Sequence, residues 1–435
     1  MKDATIHTAS AGAAASAGSV VPVATTSVAG SESARQSRPN PRSVATGKPS
    51  FADTFTQYDW ETVSQNIRSK TAADVKRALG KPKRDLEDFA ALISPAAEPF
   101  LERMAGLTHA ATLARFGRAI RLYAPLYLSN ECQNICTYCG FSLDNDLERK
   151  TLKPGEILQE IEALKGMGFE HVLLVTGEAN RTVGMPYFRE AFRLIRPHFS
   201  QLSLEVQPLD EDEYRELTEL GLHSVLVYQE TYRKETYKLH HPKGKKSNFG
   251  YRMDTPDRLG RAGVHKIGLG VLIGLEDWRT DSFFTALHLR YLSRTYWQTQ
   301  YSLSFPRLRP HAGGLVPKSV MEDRQLVQLM CAYRLLDPDL ELSISTRESE
   351  HFRDHVIPLG VTTMSAGSKT NPGGYACDPQ SLEQFEISDE RNPDTVAAII
   401  RKAGYEPVWK DWERGYGATA PSAQAGQSAA ATGDA

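Results

Sequence analysis

Eight apolar, β-branched runs recur along the chain, and a longer amphipathic stretch separates most of them from the next. The runs span residues 122–128, 171–176, 202–207, 223–228, 266–273, 300–305, 341–345 and 361–365. Short apolar runs bounded by turn residues read as buried strands. Helical spacing marks residues 153–167, 187–195, 211–220, 255–262, 281–294 and 321–336. Pro154, Pro186 and Pro256 stand near the starts of these stretches and Gly168, Gly221 and Gly263 just past their ends, the positions prolines and glycines favour around helices. Eight strands alternating with helices predict an α/β fold, a (β/α)8 barrel of the TIM type. An open doubly wound sheet is the alternative. No G-x-G-x-x-G follows the first run, which weakens its dinucleotide-binding version.

A barrel places chemistry at the C-terminal ends of its strands. Directly after the first run come Cys132, Cys136 and Cys139, spaced C-x3-C-x2-C, with Tyr138 before the third. Iron–sulfur cubanes are normally held by four thiolates. A tight loop with three leaves one iron open, and such an iron can chelate the amino and carboxylate groups of S-adenosylmethionine (SAM). Zinc usually wants four protein ligands from paired C-x2-C elements. The remaining Cys331 and Cys377 stand alone and far away. Five cysteines in 435 residues are too sparse and odd for a disulfide framework, and suit a reducing compartment such as the cytoplasm.

The formal charge of −2 gives no sign of nucleic-acid binding. No run of 18 apolar residues occurs, so no membrane span is expected. Residues 1–50 are dominated by Ala, Ser, Thr, Gly and Val and read as a disordered tail. No compact apolar core follows a basic start, as a secretory signal requires. Residues 51–121 read as a helical extension, with Leu86, Phe89, Ala90 and Ile93 at helical spacing. The barrel is expected over 122–375, a C-terminal segment packing on it over 376–414, and a second disordered tail over 415–435.

Other strand ends carry polar groups. Gly177 and Glu178 follow the second run; the glycine allows close backbone approach and the carboxylate can accept from an ammonium group. Glu205 lies within an apolar run and needs a partner. Residues 228–232 are candidates for lining a pocket. At Gly268, Gly270 and Gly274 the missing side chains leave room for a flat adenine, or for tight strand–helix packing. Ser304, Arg307 and Arg309 end the sixth run, and two arginines between prolines look like an anion clamp. A salt bridge to a neighbouring strand end explains them equally well. Residues 240–246 form a basic loop, by default solvated, with Lys243, Lys245 and Lys246 as candidate contacts to a protein partner. Residues 365–375 are candidates for a lid over the barrel mouth.

The cysteine loop resembles that of the radical SAM superfamily. Residues 126–142, 173–180, 227–246, 252–274, 301–310, 342–353, 365–375 and 408–412 together resemble the 2-iminoacetate synthases, tyrosine lyases of thiamine thiazole synthesis. The resemblance spans about residues 51–412. It implies a [4Fe-4S] cluster on Cys132, Cys136 and Cys139, and SAM held by Tyr138, Gly177, Glu178, Glu205, Arg252, Gly270, Leu272 and Gly274. The family's Gly-Gly-Glu element reads Thr176-Gly177-Glu178 here, without its first glycine. L-tyrosine would be held by Ser304, Arg307 and Arg309 and split to 2-iminoacetate and p-cresol. Thiazole synthase would be a protein partner, and flavodoxin or ferredoxin a low-potential electron donor. The rivals are the sister tyrosine lyase of hydrogenase maturation, disfavoured because only Cys377 follows Tyr375, and a non-enzymatic iron–sulfur carrier.

Overall fold

The computed structural model describes residues 50–309, 314–377 and 383–410. The expected tails, apart from Ser50, and the end of the 408–412 passage lie outside the described residues. Nine parallel strands follow in order: β1 (Ala119–Ser129), β2 (His171–Thr176), β3 (Gln201–Glu205), β4 (Leu222–Leu226), β5 (Lys266–Leu269), β6 (Gln300–Ser304), β7 (Glu341–Ile344), β8 (Thr363–Ser365) and β9 (Glu406–Val408). Strands β1 to β8 pair with their sequence neighbours, and β1 pairs with both β2 and β8. Ala124 stands opposite Val172, and Leu122 opposite Met364. The sheet is therefore a closed eight-stranded (β/α)8 barrel, and the open-sheet alternative falls.

Strand β1 starts at Ala119, ahead of the expected residue 122. The reason is β9, which pairs in parallel with Ala119–Arg121 and lengthens the strand. Three residues after a helix carry too little pattern to read as a strand.

Helices cover the barrel. Pro154–Gly166, Glu211–Glu219, Thr255–Ala262 and Asp323–Leu336 lie within a few residues of their expected bounds. The 18-residue helix Trp278–Thr295 begins earlier, capped by Asp277, whose carboxylate accepts from Thr280 N–H. The N-terminal helices Trp60–Arg68, Ala72–Gly80 and Leu86–Leu92 start on Asp59, Thr71 and Asp85 caps. Their apolar faces seat on the barrel's helices. Phe51 stacks on His288 at 3.8 Å, Trp60 on Phe284 at 5.5 Å, and Phe89 meets Tyr333 at 4.8 Å. Gln328 donates to the carbonyls of Leu92 and Ser94, satisfying groups at a buried helix end.

The segment after the second break runs over the strand ends. Ser388 N–H donates to Thr346 C=O at 2.8 Å, and Arg353 pairs with Asp389, both side chains fully buried. The chain then enters helix Pro393–Lys402 and β9.

Candidate active site

The C-terminal ends of the strands surround one cavity. Cys132, Cys136 and Cys139 form part of its wall with Tyr138 and Phe141. Burial pushes all three thiols above their usual range, so thiolates there need bound cations. Among the described residues, no three His, Cys, Asp or Glu side chains converge on a point that one ion could occupy. Ligands of one zinc must converge within about 2.3 Å of it, whereas a cubane takes each thiolate on a different iron. Three cysteine thiols from one short loop on one wall are the donor chemistry that a cluster takes. Cys331 is buried in helix Asp323–Leu336, and Cys377 Sγ lies 3.4 Å from Glu156 C=O; neither lines the cavity.

The loop is fixed from three sides. Gly177 N–H donates to Ser129 C=O, and Gln133 N–H to Glu178 C=O at 2.9 Å. A Cβ on Gly177 would stand 2.1 Å from Glu131 O. The close approach expected at this glycine is thus made by the cysteine loop's own backbone. Gly140 N–H donates to Gln384 C=O at 3.0 Å. The Gln384 side chain accepts from Tyr127 Oη at 2.7 Å and donates to Cys139 Sγ at 3.7 Å. The third side is the basic loop, which packs through its backbone and histidines while Lys243 and Lys245 stay in solvent. His240 and His241 are buried. His241 Nδ1 lies 2.7 Å from Tyr237 C=O, which can only accept, so Nε2 accepts from Tyr138 Oη at 2.6 Å. That bond pins the Tyr138 ring at the cavity edge.

Beside the cysteines lies a compact charge network. Glu178 accepts from Asn134 at 2.8 Å and Arg252 at 2.9 Å. Arg252 also donates to Tyr228 C=O at 2.7 Å and stands 3.4 Å from Glu230. Lys246 pairs with Glu230 at 2.7 Å, so Lys246 faces the cavity, unlike Lys243 and Lys245. Burial works against the Glu230 carboxylate, but Lys246 and Arg252 more than offset it and hold its pKa low. Glu230 adopts φ 69°, strain of a kind that clusters at functional sites. Of residues 228–232, Tyr228 and Glu230 line the cavity.

Glu205 lines the cavity at the end of β3. Burial drives its carboxyl up to about 7, against the pull of Arg347. Leu272 also lines the cavity, but Gly270 and Gly274 do not. A Cβ on Gly270 would meet the Tyr228 ring and Ser304 O, each at 2.9 Å. At Gly270 the missing side chain serves tight packing.

The two sixth-strand arginines separate. Ser304 and Arg309 line the cavity; Arg307 does not. Arg307 forks onto Glu348, reaches Asp323 at 2.7 Å and donates to Met321 C=O at 2.9 Å. Its donors are consumed by the protein, so the salt-bridge reading describes Arg307. Arg309 also reaches Glu348, at 3.1 Å. The cation that sequence reasoning missed is Arg347, just past β7. Its guanidinium lines the cavity, lies over Phe385 and forms no ion pair among the described residues. Its signal was its place at a barrel strand end. Of residues 365–375, Ser365, Ser368 and Thr370 line the cavity, while Tyr375 Oη donates to Pro125 C=O at 2.9 Å.

A closed parallel barrel with this cysteine loop after β1 has the architecture of a radical SAM protein, and the family model "Radical SAM superfamily" matches residues 126–286. A second, "Biotin and Thiamin Synthesis associated domain", matches 304–406. The chain is 55% identical over 364 residues to 2-iminoacetate synthase of Escherichia coli (strain K12), covering 83% of this chain and 97% of that protein. It is 54% identical over the same length to the Salmonella typhimurium 2-iminoacetate synthase, with the same coverage. It belongs to the 2-iminoacetate synthase family. Among solved structures, HydG, a maturase of the [FeFe]-hydrogenase, superposes with TM-score 0.76 at 28% identity over 80% of each chain. HydG from Carboxydothermus hydrogenoformans gives 0.73 at 27% identity over 83% of each.

Proposed function

We propose that the chain is a carbon–carbon lyase that cleaves the Cα–Cβ bond of L-tyrosine. The products are 2-iminoacetate and p-cresol, with SAM consumed to methionine and 5′-deoxyadenosine, and 2-iminoacetate serves the thiazole of thiamine. The observation that carries this reading is a single cavity with three cysteines on one wall and Arg347, a cation in no ion pair among the described residues, on its rim. An amino-acid substrate brings a carboxylate that can pair with it directly.

Cys132, Cys136 and Cys139 hold three irons of a [4Fe-4S] cluster in this reading. When bound, the cluster and SAM supply a carbon radical that removes a hydrogen atom from the substrate. Arg252 and Lys246 face the carboxylate of SAM, and Glu178 and Glu230 its ammonium group. Tyr138 and Leu272 flank the adenine, with Glu205 beside them. Gly177, Gly270 and Gly274 act indirectly, by letting these elements pack. Arg347 and Arg309 hold the tyrosine carboxylate, and Ser304 its amino group. Tyr123, Tyr127, Phe141 and Phe305 line the walls and exclude water from a reactive radical. Thiazole synthase and a flavodoxin- or ferredoxin-type donor are its protein partners, and the cytoplasm its place. No described helix is long and apolar enough to cross a membrane.

The test is anaerobic turnover of reconstituted protein with dithionite, SAM and tyrosine. 5′-Deoxyadenosine and p-cresol forming in step is the expected result. Deoxyadenosine without p-cresol would remove tyrosine as the substrate. Carbon monoxide or cyanide would point to the sister lyase.

A further inference from the structure

The back of the cysteine loop is covered by one basic strip. Ile135 N–H donates to Lys243 C=O at 3.0 Å, Thr137 N–H to His240 C=O at 3.2 Å, and Lys246 N–H to the Asn134 side chain at 3.0 Å. The strip's backbone is thus fixed to the segment that carries the three cysteines. Its side chains divide. His240, His241 and Lys246 turn inward. Lys238, Lys243 and Lys245 are exposed, and none forms an ion pair among the described residues. Between them in sequence, Leu239 leaves 69% of its surface in solvent. Glu235, the acid on the same helix, is turned to Arg233 at 4.0 Å.

Three exposed cations and an exposed leucine within residues 238–245 complement an acidic surface that carries an apolar patch. Behind them, one hydrogen bond deep, stands the loop of a redox centre. In the functional reading above the cavity side is taken up by SAM and substrate, which leaves the strip as the outer approach. We infer that residues 238–245 are the docking surface for an acidic one-electron carrier protein. The inference rests on the functional reading above. One electron leaves the reduced cofactor of the carrier, which is oxidised, and reduces the cluster on Cys132, Cys136 and Cys139. No bond or proton moves.

The test uses reconstituted holoenzyme, purified flavodoxin as the carrier, and two triple variants. One is Lys238→Glu with Lys243→Glu and Lys245→Glu; the other replaces the same three residues by Arg. Flavodoxin affinity is measured at low and moderate salt, and cluster reduction is followed with reduced flavodoxin and with dithionite. Charge reversal should weaken affinity by about tenfold or more and slow flavodoxin-driven reduction by a similar factor. Dithionite should reduce the cluster equally in all proteins, and the Arg variant should match wild type. Added salt should weaken wild-type binding and leave the Glu variant little changed. Unchanged flavodoxin affinity in the Glu variant would overturn the inference. So would loss of thiazole synthase binding with flavodoxin affinity kept, which would assign the strip to that partner. A wild-type cluster that dithionite reduces but that forms no deoxyadenosine from SAM would instead overturn the functional reading.

Discussion

The guanidinium of Arg347 lies 3.3 Å from the centre of the Phe385 ring. This contact joins the end of β7 to the segment that crosses the barrel mouth. Stacking holds the guanidinium plane while leaving its edge donors for a planar anion. A hydrogen bond to a charged group is worth about 1.5–3 kcal/mol. Arg347→Met should therefore lower kcat/KM for tyrosine roughly ten- to hundredfold, mainly through KM. Iron content and SAM-dependent deoxyadenosine formation without tyrosine should be retained. An unchanged KM would remove Arg347 from the substrate site.

Arg307 should behave differently, because its donors are bound by Glu348, Asp323 and Met321. Arg307→Ala leaves the buried Glu348 carboxylate with Arg309 as its remaining cation and should destabilise the fold by about 1–3 kcal/mol. Chemical unfolding of the cofactor-free protein measures this. A tyrosine KM defect with normal stability would contradict the assignment.

Gly177→Ala places a methyl group where Glu131 O lies 2.1 Å away. The cysteine loop must shift, at a cost of about 1–3 kcal/mol. Iron and sulfide bound after reconstitution should fall sharply while circular dichroism stays native. Full iron loading would show that the loop tolerates the shift.

Gln384 donates to Cys139 Sγ at 3.7 Å. A donor on a ligand sulfur favours the more negative, reduced cluster. One bond worth about 1 kcal/mol corresponds to about 40 mV for one electron. Gln384→Leu should lower the cluster midpoint potential by that order, as read by an EPR-monitored redox titration. An unmoved potential would leave Gln384 a purely structural contact.

Glu205 makes stability depend on pH. Its folded carboxyl titrates at about 7, raised by burial from 4.5. The folded chain therefore keeps a proton that the unfolded chain releases. This contribution is fully present below the unfolded value and is lost as pH rises through about 7. Glu205→Gln should make the cofactor-free protein more stable by about 3 kcal/mol at about pH 8, with little change near about pH 4. Urea midpoints at the two pH values test this, and a wild-type pH profile in the variant would sink it.

The order of strands and helices and the cysteine triplet on the cavity wall were legible in the chain, because both are local. Strand and helix periods repeat within a few residues, and Cys132, Cys136 and Cys139 lie within one turn of loop. Which arginines face the cavity was not legible. Arg307 is drawn away by Glu348, 41 residues further on, while Arg347 faces the cavity only because β7 stands in the closed barrel. The basic loop read as solvated because nothing near it in sequence shows that Ile135 and Thr137 are its hydrogen-bond partners. Likewise, β9 exists only through its pairing with Ala119–Arg121. Local pattern thus determined the fold class and the cysteine loop that follows the first strand. Tertiary structure alone decided which charges cancel and which remain to meet a ligand, since that depends on contacts between segments far apart in sequence.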